Sequence, residues 1–406
     1  MTHNRIFRTL AAALLIAAMM TCAAPFGALA AGDMTGVSDV IVTVYNPLYS
    51  DLGTLETPID PEEVPVTDGD ADVEYLDADA AAQEMRNHMA ARDTTATVYI
   101  KTADTGTDSD TRSALAKSLW NDTVWPKVLA HTGVSTEGDY LRWSWSSCSS
   151  SISWSSNGST LMVTYTLTLV YHDTAEQEAA VTAALPGIYE SLNLDACATD
   201  YAKTKAIYDY ITQNTTYDDE NMNEDSSHSA YSCIIKHSTV CQGYSLAMYR
   251  MLLDNGVDCR IVDGYANGSA HGWLLIRMDD GNYYYADATW DSNIYEYSGV
   301  MTYDYFLYSS EFADHTLSDD AKAIAAGCTI VNDGTYYDGS YIPPAPVLGD
   351  LNGDGTIDMT DRDLLITAVF YASTDADLLK VGDMDGNGSF NLGDIYILRA
   401  LIASQN

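Results

Sequence analysis

Three residue types that together can perform nucleophilic catalysis occur in order between Tyr231 and Asp291. Cys241, His271 and Asp287 supply a thiol, an imidazole and a carboxylate. A thiolate can attack a carbonyl carbon, an imidazole can take and return its proton, and a carboxylate can orient the imidazole. Each residue also has an ordinary structural explanation, since most free cysteines behave as small buried apolar residues. The hypothesis therefore depends on the elements that bring the three side chains together.

Cys241 is predicted at the start of a helix. Apolar residues at helical spacing follow it, and Asn255-Gly256 ends the pattern. Thr239 and Gln242 have the spacing of a capping box, which places Cys241 in the first turn. Unpaired N–H groups and the helix dipole favour a thiolate there. The backbone N–H of Cys241 is a candidate oxyanion donor, and the Gln242 side chain is a secondary one because capping competes for it.

His271 and Asp287 are predicted on one β-hairpin, because two apolar strands flank Asp279-Asp280-Gly281. A three-residue loop would set Trp273 opposite Asp287 and make His271 a diagonal neighbour on the same face. A two-residue loop would instead put His271 and Asp287 on opposite faces. The catalytic hypothesis thus depends on the geometry of one turn.

Three ordered motifs resemble those of the transglutaminase-like superfamily. They are Val240-Cys241-Gln242-Gly243-Tyr244-Ser245, Ala270-His271-Gly272-Trp273 and Tyr285-Ala286-Asp287-Ala288-Thr289-Trp290-Asp291. The resemblance covers about Ala198 to His315. It implies a papain-like α+β core in which a helix carrying Cys241 packs on an antiparallel sheet carrying His271 and Asp287.

This resemblance also implies a thioester on Cys241 and no cofactor for the catalytic domain. The family includes protein cross-linkers, amidases and peptidases, and members without chemistry. Because water is abundant outside a cell, we favour hydrolysis of a protein or peptide amide. Cross-linking of glutamine to lysine and a non-catalytic binding or scaffold role are the alternatives.

A duplicated loop near the C-terminus has the pattern of a calcium site. Oxygen-bearing residues recur with a displacement of 33, and a glycine stands at the sixth position of each loop. The predicted ligands, with Thr356 and Ser389 acting through backbone carbonyls, are Asp350, Asn352, Asp354, Thr356, Asp358, Asp361, Asp383, Asp385, Asn387, Ser389, Asn391 and Asp394. The unit resembles a type I dockerin, which implies two calcium ions and a cohesin module of a scaffoldin, in a cellulosome-like complex, as its partner. Met359-Thr360 and Leu392-Gly393 differ from many dockerins, so the cohesin type is left open.

The first thirty residues have the pattern of a secretory signal peptide. Arg5 and Arg8 precede an apolar run, and Ala28-Leu29-Ala30 fits a cleavage site. A secreted, extracellular protein is therefore expected. The formal charge of −39 argues against nucleic acid and, after signal cleavage, against a membrane surface as partners. Six cysteines remain after cleavage, and their pairing is undecided.

The remaining patterns define the domain organisation. We expect a signal peptide at 1–30, an N-terminal α+β region at 31–197, a transglutaminase-like catalytic domain at 198–335, a proline-containing linker at 336–347 and the dockerin-like module at 348–406. Strands and helices mix without a βαβ repeat, so the fold class is α+β with a small all-α calcium-binding module. Trp143, Trp145 and Trp154 are spaced for one packed face, with sugar stacking as the alternative. A helix from Thr174 to Leu192 is expected to be interrupted at Pro186.

Overall fold

The computed structural model describes residues 42–45, 62–63, 74–341, 347–353, 355–371 and 373–404. The predicted signal peptide, the linker prolines and Asp354 lie outside the described residues. The helices of this part are α1 Ala78–Ala90, α2 Ser109–Ser118, α3 Trp125–Val128, α4 Asp139–Arg142, α5 Ala175–Leu192, α6 Asp200–Asn214, α7 Ala230–Ile234, α8 Cys241–Asp254, α9 Ala288–Ser298, α10 Asp319–Ala326, α11 Met359–Phe370, α12 Ala376–Gly382 and α13 Leu392–Ser404. The strands are β1 Val42–Tyr45, β2 Glu62–Glu63, β3 Thr95–Ala103, β4 Trp145–Ser156, β5 Thr160–Tyr171, β6 Thr216–Tyr217, β7 Ser238–Thr239, β8 Cys259–Ala266, β9 Ser269–Arg277, β10 Tyr283–Ala286 and β11 His315–Leu317.

An N-terminal sheet has the order β1-β4-β5-β3, with β2 paired to β4. The long β4–β5 hairpin alternates buried and more exposed residues, as a sheet covered on one face does. Trp143, Trp145 and Trp154 are at most 2% exposed. The prediction of one packed face is confirmed for Trp145 and Trp154, which share a core, and is wrong for Trp143, which precedes β4 and packs in another core. Stacking on an exposed sugar is excluded for all three.

The expected break at Pro186 is wrong, because α5 runs through it from Ala175 to Leu192. Proline removes a hydrogen bond to the carbonyl four residues earlier, here that of Thr182. Pro186 and Thr182 both lie on the exposed side of the helix. Water can solvate the carbonyl there, so the helix continues.

The second sheet is antiparallel with the order β10-β9-β8-β11. Its two faces are both covered, because alternate residues of β9 enter different cores. Leu274 and Ile276 pack in the large core that includes α8, whereas Trp273 and Leu275 pack in a smaller core that includes Ala321 of α10. This double burial explains why β9 is apolar along most of its length. The α+β prediction, with a helix on an antiparallel sheet, is confirmed.

A buried ionic cluster joins the N-terminal region to α8. Arg92 Nε donates to Asp173 Oδ1 at 2.6 Å and Arg92 Nη2 donates to Glu178 Oε2 at 2.9 Å. Arg250, on α8, donates to the other oxygen of Glu178, and Tyr140 OH donates to Glu178 Oε2 at 2.7 Å. Because Glu178 is buried between two guanidinium groups, it ties α5 to the helix that carries Cys241.

The two C-terminal loops repeat each other's hydrogen bonds. Asp361 Oδ2 accepts from the N–H of Asp358 at 2.8 Å, and Asp394 Oδ2 accepts from the N–H of Asn391 at 2.8 Å. The helices α11 and α13 that follow the loops share a small apolar core around Leu365 and Leu398. The two halves found in the sequence are thus also equivalent in structure.

None of the helices in the described part of the chain is long and apolar enough to cross a membrane. The six described cysteines are all free, which answers the question of pairing for them. They are Cys148, Cys197, Cys233, Cys241, Cys259 and Cys328.

Candidate active site

Cys241 occupies the first helical position of α8, as expected, but the capping box is wrong. The N-cap residue is Val240, and no side chain caps the helix. The Thr239 hydroxyl instead donates to the carbonyl of Ser227 at 2.8 Å and lies 2.6 Å from Ser232 Oγ. The first backbone N–H groups of α8 therefore receive no hydrogen bond acceptor from a capping side chain, as at any uncapped helix start.

The Gln242 side chain is directed into the protein rather than toward the thiol. Its Nε2 donates to the carbonyl of Trp143 at 2.6 Å, and its Oε1 accepts from His228 Nδ1 at 3.3 Å. Gln242 is 1% exposed. These contacts anchor the start of α8 to the N-terminal region, and we do not retain Gln242 as an oxyanion donor.

The hairpin has the register of the three-residue loop. Ala286 pairs with Leu274, which sets Asp287 opposite Trp273, and Gly281 has the left-handed φ of 80° that the turn requires. His271 Nε2 donates to Asp287 Oδ2 at 2.7 Å. The predicted turn geometry is confirmed, and it brings His271 and Asp287 into direct contact.

The thiol of Cys241 lies close enough to His271 for its charge and side-chain hydrogen bonding to act on the pKa of His271. Since His271 Nε2 faces Asp287, the ring presents Nδ1 to the thiol. Burial lowers the pKa of His271, but the charges of Asp287 and Cys241 outweigh it and raise that pKa to about 10. Burial raises the pKa of Asp287, but His271 and His315 reverse this and hold the pKa well below its usual range. At neutral pH the site therefore holds an imidazolium beside a carboxylate.

Asp287 has further partners that the sequence did not reveal. Its Oδ1 accepts from the N–H of Thr289 at 2.9 Å, so it caps α9. His315, from β11, lies with Nε2 3.1 Å from Asp287 Oδ2. His315 marks the end of the resembling region, but only the pairing of β11 with β8 places it here, and no local pattern predicts that pairing.

Tyr217 is a second residue near the thiol that received no role from the sequence. The β6–β7 pairing sets it opposite Thr239, two residues before Cys241. Burial raises the pKa of Tyr217, and the charge of the nearby Cys241 raises it further. The phenol thus stays protonated and can donate a hydrogen bond close to the thiol.

Three of the six calcium ligands predicted in the second loop converge. Asp383, Asp385 and Asp394 offer oxygen atoms within 4.8 Å of one another. A set of carboxylate oxygens suits a hard cation such as calcium. The other predicted ligands among the described residues lie in the two loops or in the first turn of the following helix: Asp350, Asn352, Thr356, Asp358, Asp361, Asn387, Ser389 and Asn391.

Comparison with known proteins identifies the central domain. The profile of the transglutaminase-like superfamily matches residues 192–288. No curated protein matches the chain.

Among solved structures, the chain is similar to a TGase at 17% identity and a TM-score of 0.27, covering 52% of this chain and 58% of that one. A candidate cysteine protease from Cytophaga hutchinsonii shares 18% identity with a TM-score of 0.24, covering 32% of this chain and 53% of that one. A candidate protease from Parabacteroides distasonis shares 13% identity with a TM-score of 0.21, covering 34% and 36%. The chain spans little more than half the length of the first two. The segment matched by the family profile contains Cys241, His271 and Asp287, and residues 192–288 therefore form a transglutaminase-like domain within an α+β chain.

Proposed function

We propose that this chain is a secreted cysteine-dependent hydrolase of peptide or amide bonds, which acts through a thioester and is held in an extracellular complex by its C-terminal module. The observation that carries the proposal is the chain of contacts from Cys241 to His271 to Asp287, with 2.7 Å between His271 Nε2 and Asp287 Oδ2.

The chemistry follows from the positions of these three groups. The sulfur of Cys241 attacks the carbonyl carbon of the substrate, and its proton resides on His271. His271 then donates that proton to the departing amine nitrogen as the C–N bond breaks, which leaves a thioester. Water attacks the thioester carbon and gives a proton to His271, and the C–S bond breaks to return the thiol. Asp287 keeps the imidazole oriented throughout.

The oxyanion of each tetrahedral intermediate needs hydrogen-bond donors. The backbone N–H of Cys241 stands at the first position of α8, where no intrahelical acceptor exists. We assign the Tyr217 hydroxyl as the second donor in place of Gln242. Tyr217→Phe should lower the rate of substrate turnover about a hundredfold while leaving alkylation of Cys241 unchanged, since alkylation forms no oxyanion. Equal turnover by the variant would remove this role.

The acyl acceptor separates hydrolysis from cross-linking. The chain should be incubated with quenched peptide libraries and, in parallel, with a glutamine-bearing protein and a fluorescent primary amine. Cys241→Ala is the inactive control. Peptide cleavage that depends on Cys241 supports the proposal, whereas amine incorporation with no cleavage would establish the cross-linking alternative. Retained biological function in Cys241→Ala would favour a non-catalytic binding or scaffold role.

The C-terminal module is proposed to bind one calcium ion in each loop. The ligand oxygens of Asp383, Asp385 and Asp394 support this for the second loop, and the equivalent hydrogen bonds of Asp361 support it for the first. Calcium would neutralise the carboxylates and fix each loop on the helix behind it. A core this small gains much of its stability from such a metal.

The partner is proposed to be a cohesin module of a scaffoldin. Large apolar side chains stand exposed on α11 and α13 or directly after α11, among them Phe370, Tyr371, Leu392 and Tyr396. Exposed aromatic residues of this kind commonly supply the buried centre of a protein interface. Binding to a panel of cohesins should be measured with calcium and with EDTA. Binding that survives the chelator, or no binding to any cohesin type, would overturn the docking proposal.

A further inference from the structure

His315 is enclosed between two carboxylates. Its side chain has no solvent exposure. One ring nitrogen, Nε2, lies 3.1 Å from Asp287 Oδ2, and the other, Nδ1, lies 2.8 Å from Asp314 Oδ1. Both contacts are within hydrogen-bonding distance.

The partners of the two ring nitrogens bear on the protonation state of His315. An ionised carboxylate can only accept hydrogen bonds, so a nitrogen that contacts one must donate. Burial acts to raise the pKa of Asp314, but hydrogen bonds from Tyr305 and His315 lower it overall, and the pKa of Asp287 is likewise held low. With both carboxylates ionised, both contacts of the ring call for an N–H donor.

The surroundings of the ring suit a cation. Apart from the two carboxylates, aromatic rings enclose it, and their negative faces attract a positive charge. The distances from its centroid to theirs are 4.8 Å for Trp273, 4.9 Å for Trp290, 5.1 Å for Phe312 and 5.7 Å for Tyr305. Among the described residues, the other histidine ring in contact is that of His271, with 5.4 Å between the ring centroids.

We propose that His315 is a positioning residue of the thiol site, an imidazolium that shares Asp287 with His271 and thereby reduces the stabilisation that the Asp287 charge gives to protonated His271. The proposal rests on the proposed thiol chemistry, in which His271 must give its proton to a departing amine. An unshared Asp287 would stabilise the imidazolium of His271 more strongly, and His271 would release its Nδ1 proton less readily. His315 therefore supports proton release without touching the substrate.

The first test observes the protons on the His315 ring directly. Chains labelled with ¹⁵N-histidine are examined by NMR at pH 7, and the histidine signals are assigned with single substitutions. Two N–H groups on the His315 ring are expected. A single N–H, which marks the neutral ring, would overturn the proposal.

The second test follows the titration of His271. In His315→Gln the amide can still donate to Asp287 but the charge is lost. The titration midpoint of His271 should then rise by about one pH unit or more, as expected when a unit charge is lost 5.4 Å from its ring. His131→Gln is the matched control, because His131 also contacts a carboxylate, that of Asp258 at 2.7 Å, away from Asp287. It should leave the midpoint unchanged.

An unchanged or lower midpoint in His315→Gln would overturn the proposal. A merely structural role would lower the melting temperature without raising the midpoint. Alkylation of Cys241 is measured on the same samples. An unreactive Cys241 beside a doubly protonated His315 would refute the proposed function while leaving the state of His315 established, so the two failures are distinguishable.

Discussion

The sharpest prediction concerns how fast Cys241 reacts with iodoacetamide at pH 6. Because the pKa of His271 is raised to about 10, the imidazole at pH 6 is an imidazolium in nearly every molecule, and it stands in hydrogen-bond contact with the thiol. An ordinary thiol with a pKa near 8.5 is ionised in only about one molecule in three hundred at that pH. Pairing with the imidazolium should therefore speed alkylation of Cys241.

The expected increase in the alkylation rate of Cys241 is smaller than a larger ionised fraction alone would give. Cys241 is only 7% exposed, which slows the approach of the reagent. We expect alkylation at pH 6 to be about ten to a hundred times faster than that of glutathione. The rate is read by peptide mass spectrometry, which reports each cysteine separately.

Other residues of the chain supply the controls. Burial raises the pKa of Cys148 and Cys233 to about 12, so both should stay unlabelled. His271→Ala should slow labelling of Cys241 at least tenfold, and Asp287→Asn should also slow it because the carboxylate is the largest influence that raises the pKa of His271. If Cys241 reacts at pH 6 no faster than glutathione, or equally fast in His271→Ala, the activated pair does not exist.

Four further predictions test other parts of the molecule. A Cβ at Gly243 would lie 1.9 Å from the buried hydroxyl of Thr239, so Gly243→Ala should lower the free energy of unfolding, measured in urea, by about 1–3 kcal/mol. Gly187→Ala is the control, because its Cβ would stand in open space and should not lower that free energy. Glu178→Gln leaves two buried guanidinium groups short of a counter-charge and should cost about 3–5 kcal/mol in the same assay. Asp394→Asn should reduce the two calcium sites expected by calorimetry to one. The pKa of His271 is raised on folding from 6.5 to about 10, so protonation of His271 stabilises the folded protein. This contribution to the free energy of unfolding is complete below pH 6.5 and is lost as the pH rises through about 10. Melting curves should show the loss in the wild type but not in His271→Gln.

The sequence predicted the parts of the site that depend on local patterns. The loop ending in Gly281 predicted the register, and the register placed His271 beside Asp287. The periodicity after Cys241 likewise predicted where α8 begins. Turn chemistry and residue spacing act over a few residues, so one sequence contains them.

Contacts between distant segments account for the errors. Thr239 and Gln242 have the spacing of a capping box, but the hydroxyl is bound by Ser227 and the amide by Trp143, which is 99 residues away. His315 reaches Asp287 only because β11 pairs with β8. A polar side chain takes whichever partner the tertiary fold brings closest, and spacing along the chain does not reveal that partner.

Asp287 is where local and long-range contacts meet, and this determines which variants are informative. Its Oδ1 caps α9 through Thr289, while its Oδ2 receives both His271 and His315. Replacing Asp287 therefore changes helix stability, imidazole orientation and charge at once, and no single measurement on that variant can assign the loss. Variants of His271 and His315 each change one partner of Asp287 and leave the helix cap in place. A comparison of those two variants, rather than the larger effect at Asp287, separates proton transfer by His271 from the effect of His315 on the pKa of His271.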